Sequence, residues 1–309
     1  MAPNLSNWLD VRASIREALA EDEPVVALES TVIAHGLPYP LNLETARACE
    51  EAVREAGGIP ATIAVIGGRA RIGLTADEIE TIAVTKRESA PIEKVGLNNL
   101  AAVLAGGRAG ATTVAASLKL AHAAGIRVFS TGGIGGVHRE AAETFDVSAD
   151  LTALASTPII CVCAGAKAIL DLPKTVEYLE TLGVPIVGFR TNEFPAFYTR
   201  RSGLRVDVAA QTPEEAARIA ALHWEVSSSA VLVCVPVPEK FEMGYDEVEQ
   251  AISTALSRSR EHGIRGKAVT PFVLAQLEKL TAGRSLDTNR ALLVNNAAVA
   301  AKIARCFTD

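Results

Sequence analysis

The sequence predicts an α/β protein: a single-domain α/β/α sandwich with a largely parallel central sheet. Three observations predict it. Short, continuous apolar runs recur along the 309-residue chain, as expected of strands covered on both faces rather than one. Stretches of helical period separate them, which argues for repeated strand–helix–strand units. No internal repeat, low-complexity tract or long linker divides the chain.

In order, "VVAL" (25–28) is the first buried strand, and "NLETARACEEAVREAGG" (42–58) the helix after it, with glycines where a C-cap is expected. "ATIAVI" (61–66) is the next strand, and "IGGRARIGLT" (66–75) a tight hairpin appended to it. The helix "TTVAASLKLAHAAG" (112–125) leads into the strand "IRVFST" (126–131). Then come "IICVC" (159–163), the helix "PKTVEYLETLG" (173–183), the strand "VPIVGF" (184–189), the helix "PEEAARIAALHWEV" (213–226) and the strand "AVLVCVPV" (230–237). Pro173 and Pro213 suit a first helical turn. From Tyr245 onward the pattern is helical.

Apolar residues make up 49% and charged residues 21% of the chain, and the net charge is −6. With no lysine/arginine run, nothing marks a nucleic-acid or membrane surface. The N-terminus lacks the apolar core of a signal peptide, and no stretch reaches the roughly 18 apolar residues of a membrane span. The five cysteines are odd in number and scattered, which argues against a disulfide framework. Cys161 and Cys163, two apart in a strand, share a face as small core hydrophobes. The expected location is the cytoplasm.

Several stretches could carry chemistry. "STGGIGGVHRE" (130–140) follows a strand, and Gly132, Gly133, Gly135 and Gly136 could take positive φ and form an anion-binding nest beside His138 and Arg139. It could equally be a tight turn. In "FDVSADLTAL", Asp146, Ser148 and Asp150 alternate, so extended backbone would point three oxygen ligands one way. The other reading is a solvated loop with Asp150 as a helix N-cap. Glu29 stands at the end of the first strand, where ligands of open α/β sheets sit; burial would let it act as an acid near neutrality. It could instead only hydrogen-bond its turn, and His35 could be an ordinary loop histidine.

Lys167, in "VCAGAKAILDLP" (162–173), also leaves a buried strand. A desolvated lysine is a Schiff-base nucleophile; a lysine snorkelling from a helix is the alternative. Lys94 could supply a cation or hold a phosphate. Asn289 and Asn296, seven apart on a helix, share a face with Leu293 and could line a polar pocket or face solvent.

Taken together, "ALESTVIAHGLPYP", "GATTVAA", "STGGIGGVHR", "DVSADLTAL", "CAGAKAILDLPKTVEYLE", "TNEFPAFYTRRSG" and "TPFVLAQLEKLT" resemble the pseudouridine-5′-phosphate glycosidases, the indigoidine synthase A-like family, over about residues 23–304. The resemblance implies an α/β/α homotrimer that uses a divalent metal, typically Mn²⁺ with Mg²⁺ possible in its place, to cleave pseudouridine 5′-phosphate reversibly into uracil and ribose 5-phosphate. It implies Lys167 as the nucleophile forming an imine with C1′, Glu29 as proton donor and Asp146 as metal ligand. Lys94, Val114 and the segment Ser148, Ala149 and Asp150 would contact the sugar phosphate and base, with Asn289 a further contact. The glycine loop, with Thr131, Gly132, Gly133 and His138, would anchor the phosphate.

One stretch departs from the family pattern. Where "KVSRRDL" is common, this chain reads "KVGLNNL" (94–100). Lys94 and Val95 remain, but Leu97, Asn98 and Asn99 replace a polar, basic triplet. If that segment lines the base side, the alternative reading is a C-ribosyl synthase that joins ribose 5-phosphate to a non-uracil aromatic acceptor.

Overall fold

The computed structural model describes residues 8–84, 92–264 and 269–307. The first seven residues of the N-terminal stretch read above for a signal peptide lie outside them. In chain order the strands are β1 (Leu9–Val11), β2 (Val25–Leu28), β3 (Ile59–Ile66), β4 (Arg69–Ile72), β5 (Glu93–Val95) and β6 (Gly110–Thr112). They continue with β7 (Val128–Ser130), β8 (Ile160–Cys163), β9 (Ile186–Phe189), β10 (Val208–Ala210) and β11 (Val231–Cys234). The helices are α1 (Ala13–Ala20), α2 (Leu41–Glu55), α3 (Ala76–Val84), α4 (Leu100–Ala105), α5 (Val114–Ala123) and α6 (Ala141–Thr144). After these come α7 (Ala149–Ala155), α8 (Leu172–Thr181), α9 (Pro213–Trp224), α10 (Tyr245–Glu261), α11 (Val269–Leu280) and α12 (Arg284–Ala304).

The central sheet runs β3-β2-β7-β8-β11-β9-β10 with every pair parallel. Every residue of β2, β8 and β11 is buried, because helices cover both faces. On one side α12 packs along α2 and α9 and across β2, β7 and β8; on the other, α5 contacts α7, β2 and β3. β3 serves two sheets. Its first half pairs parallel with β2, and its second half pairs antiparallel with β4 and β6. The β3–β4 hairpin turns on Gly67 and Gly68, both at positive φ, as a two-residue turn of this twist requires.

The prolines predicted at two helix starts are in place, and four helices begin on side-chain caps. Thr113, Ser148, Asp171 and Thr212 each accept a backbone N–H of the helix they begin, with proline in the first turn of α8 and α9. Ser148, not Asp150, is the cap of α7, because Asp150 is the buried second residue of the helix and is bonded elsewhere. The five cysteines are unbridged, and Cys161, Cys163 and Cys234 sit in the core. Among the described residues no helix is long and apolar enough to cross a membrane.

Two features of this topology position the site. The sheet order reverses at β2, which has β3 on one side and β7 on the other, and such a switch opens a crevice at the strands' C-terminal ends. Beside it, the π-type turn Val32–Gly36 is held by buried Asn42, whose Nδ2 donates to the carbonyls of Ile33 (2.7 Å) and Ala83 (3.0 Å). Replacing Asn42 by Leu leaves both carbonyls without that donor, and one orphaned buried group costs about 1–3 kcal/mol. Urea denaturation of Asn42→Leu should therefore show a loss of about 2 kcal/mol or more; an unchanged midpoint and slope would contradict this role.

Candidate active site

Three adjacent parallel strands end at the crevice. Glu29 follows β2, Thr131 follows β7, and Lys167 lies four residues past β8. All three line one cleft with Lys94 of β5, Gly132, Gly133, His35 and, from α12, Asn289 and Leu293. The cleft holds about 680 Å³ of space, counting its open mouth. Pro271 and Leu274 of α11 reach it from the helical C-terminal part of the chain.

Its charges are placed where water is scarce. Burial raises the Glu29 carboxyl above its ordinary 4.5; Lys167, the Thr131 hydroxyl and Lys94 oppose the rise, and Asp150 adds to it. Thr131 Oγ1 donates to Glu29 Oε1. His138 is half-buried, and desolvation lowers it below 6.5, with Lys167 and Lys94 acting the same way and Asp146, 3.8 Å from its Nδ1, opposing. The two lysines and the Asp146 carboxylate therefore act on His138 in opposite directions. A protonated carboxyl beside a lysine can deliver a proton while the amine attacks carbon.

The glycine loop is not the positive-φ nest that its sequence suggested. None of Gly132, Gly133, Gly135 and Gly136 has positive φ. They are glycine because neighbours press in. A Cβ on Gly133 would sit 2.6 Å from the Phe197 ring, on Gly135 2.2 Å from Ser148 Oγ, and on Gly136 2.4 Å from Thr175 Oγ1. The loop's N–H groups are largely spent inside the protein: Ile134 N on Gly165 O, Gly135 N on Asp150 Oδ2, Val137 N on Thr175 Oγ1 and His138 N on Asp146 O. Arg139 is spent too, paired with both oxygens of Glu249 on α10 and donating to the Ala168 carbonyl. The loop shapes the cleft wall, and the cations of the cleft are lysines.

Asp146, Ser148 and Asp150 do not converge as three ligands. Asp150 gives one oxygen to Ala115 N (2.8 Å) and the other to Gly135 N (2.7 Å), and Ser148 Oγ accepts Asp150 N. Among the described residues no three His, Cys, Asp or Glu side chains gather as a metal cage. Asp146 is left with its side chain 40% exposed. Hard divalent ions are commonly held by one or two carboxylates with water and substrate phosphate completing the shell, so Asp146 fits as a single-carboxylate anchor. Val114 is the buried first residue of α5 and Ala149 the exposed first residue of α7; like Ser148 and Asp150, neither lines the cleft. Asn289 lines it, whereas Asn296 is fully buried behind it.

A chain built this way has known relatives. The model of a family described as "indigoidine synthase A like protein" matches residues 14–306. The chain belongs to the indigoidine synthase A-like family. A pseudouridine-5′-phosphate glycosidase of Caldanaerobacter subterraneus subsp. tengcongensis is 52% identical over 97% of each chain. Among solved structures, the prealnumycin C-glycosynthase AlnA in complex with ribulose 5-phosphate is 41% identical, with a TM-score of 0.89 over 97% of each chain. An indigoidine synthase A-like protein from Thermotoga maritima is 39% identical with a TM-score of 0.86, covering 96% of this chain and 95% of its own.

Within this family fold, the cleft also takes in residues that sequence reasoning gave no role. Phe197 and Tyr198 line it as an edge-to-face pair, centroids 4.9 Å apart, and burial raises the Tyr198 phenol. Phe197 has φ of +64° and donates its N–H to Ala164 O. Of "KVGLNNL", only Lys94 reaches the cleft. Asn99 instead braces it, accepting Gly96 N and donating to Lys94 O, and Leu97 packs against the core.

The raised Glu29 carboxyl has a stability consequence. Between the ordinary 4.5 and the raised folded value, the folded chain keeps a proton that the unfolded chain releases, so this group's contribution falls as pH rises. Glu29→Gln should therefore gain stability relative to wild type, with the gap widening upward from about pH 4.5 in urea titrations at stepped pH. A gap that is constant or narrows with rising pH would contradict the raised value.

Proposed function

We propose that this chain reversibly cleaves pseudouridine 5′-phosphate to uracil and ribose 5-phosphate through an imine between Lys167 and C1′ of the ring-opened sugar. The observation that carries the reading is a single cleft lined by Lys167, Lys94 and a buried, raised-pKa Glu29, in a family whose relative above is named for this activity.

The chemistry needs that set. An O-glycosidase protonates an oxygen leaving group with paired carboxylates, but here the leaving atom is carbon. The Lys167 amine bonds to C1′ as O4′ departs, and the amine's proton passes to O4′, opening the ring. Glu29 then gives its proton to the base carbon bonded to C1′. The electron pair of that C–C bond returns to the base ring while the nitrogen lone pair forms C1′=N. Water adds to the imine, ribose 5-phosphate leaves as the aldehyde, and the ammonium's surplus proton returns to Glu29.

Lys94 supplies a fixed positive charge for the phosphate, and Phe197 and Tyr198 an apolar wall for the base. Asp146 would hold the Mn²⁺ or Mg²⁺ ion, which supplies neutralising charge near the phosphate and sugar oxygens. A homotrimer and a cytoplasmic location go with this reading, carried by the family resemblance and, for the second, by five unbridged cysteines.

A second reading, ribosylation of a different aromatic carbon, is favoured by the likeness to AlnA. The departure at Leu97, Asn98 and Asn99 does not add to it, because those side chains do not line the cleft. Incubation with ribose 5-phosphate, uracil and Mn²⁺ should yield pseudouridine 5′-phosphate, resolved by chromatography, and Lys167→Ala should lose at least about a thousandfold in rate. Wild-type protein that makes no product, and cleaves none in the reverse direction, would overturn the first reading.

A further inference from the structure

The catalytic reading leaves open which oxygen of Glu29 carries the transferred proton, and what fixes it there. A carboxyl at a strand end has two near-equivalent oxygens and free rotation about its last torsion. A proton donor that samples both faces wastes much of its orientation.

In this fold the rotation is blocked from one side. Thr131 Oγ1 donates to Glu29 Oε1, and the Thr131 side chain is itself buried. The backbone around it is held at both ends. Thr131 N donates to Val162 O of β8 (3.0 Å), and Asn296 Nδ2 on α12 donates to Thr131 O (2.9 Å) and Gly132 O (3.4 Å). Asn296 is wholly buried, and its Oδ1 has no hydrogen-bond partner in the protein. An orphaned buried oxygen is a cost, accepted here on the residue that bridges two carbonyls at the site. Because both targets are acceptors, only a donor can do this, so Asn296 is not exchangeable with Asp or Leu.

We infer that Thr131 is a positioning residue for Glu29: its hydroxyl occupies Oε1, so that Oε2 carries the proton delivered to the base carbon, and Asn296 holds Thr131 in place for that task. The inference rests on the catalytic reading above for the word "delivered", but the hydrogen bond and its effect on Glu29 do not. Thr131 then spends its hydroxyl on the protein and none on the sugar phosphate, so it is not the phosphate contact that the glycine loop suggested.

The charged and titratable groups around Glu29 are Lys167 after β8, Lys94 on β5, Asp150 on α7, His35 in the π-type turn and the Cys161 thiol of β8. From α12 the cleft is lined by Asn289 and Leu293, which do not ionise. Removing the Thr131 hydroxyl takes away a bond that favours the ionised carboxylate, so Glu29 should hold its proton to higher pH.

Thr131→Val, which keeps the shape, and Thr131→Ser, which keeps the donor, test this in two ways. In ¹³C-carboxyl NMR of glutamate-labelled protein, one resonance should titrate above the rest and vanish in Glu29→Gln. That resonance should titrate higher still in Thr131→Val and return in Thr131→Ser. This arm needs no activity, so it stands or falls separately from the proposed reaction. In cleavage assays, activity declines as pH rises through the Glu29 pKa. In Thr131→Val that decline should move to higher pH, the plateau kcat should fall about tenfold or more through lost orientation, and KM should stay within about twofold, with Thr131→Ser close to wild type. A Glu29 titration indistinguishable between wild type and Thr131→Val would overturn the inference. So would a Thr131→Val defect confined to KM, which is the mark of a substrate ligand.

Discussion

The site depends on keeping a carboxyl out of water without closing an ion pair between it and Lys167. Glu29 is held at the crevice where the sheet order turns back on itself, with Thr131 on one oxygen and the charges of Lys167 and Lys94 acting on it. A closed ion pair with Lys167 would favour the charged forms of both groups and remove both proton donor and free amine. Burial, with the Thr131 hydroxyl on one oxygen, pushes the carboxyl the other way.

Holding that arrangement requires a loop that cannot drift, and the fold ties it from several directions. Asp150 staples the N-terminus of α5 to Gly135, Thr175 of α8 takes Val137 N, and Asn296 of α12 takes the Thr131 carbonyl. Arg139 joins the same loop to α10 and to the carbonyl beside Lys167. Each tie comes from a different helix, so the strand ends, the loop and the nucleophile's segment are fixed relative to one another. That is the preorganisation that a proton transfer coupled to C–C cleavage needs.

Much of this was legible in the sequence, and the rest was not for definite reasons. β2, β8 and β11 could be read because strands covered on both faces are continuous apolar runs. β1, β5, β6 and β10 have three residues each, too few for any period to register. Pro173 and Pro213, in the first turns of α8 and α9, are local signals and read correctly. The glycine loop misled because the space around Gly135 and Gly136 is taken by Ser148 and Thr175, partners that no local pattern reveals. Phe197 was invisible as a cleft residue, since an aromatic side chain at positive φ is set by its tertiary surroundings. Lys167 stood between two readings on its local sequence; its place beside Glu29 is a product of β2 and β8 flanking β7.

The central claim is that Lys167 forms a covalent imine with a sugar phosphate. Borohydride reduction in the presence of ribose 5-phosphate, followed by peptide mass spectrometry, tests it most directly. The account predicts a single reduced sugar-phosphate adduct, on the peptide carrying Lys167, and none in Lys167→Ala. Protein left unmodified, or modified only at other lysines, would contradict it.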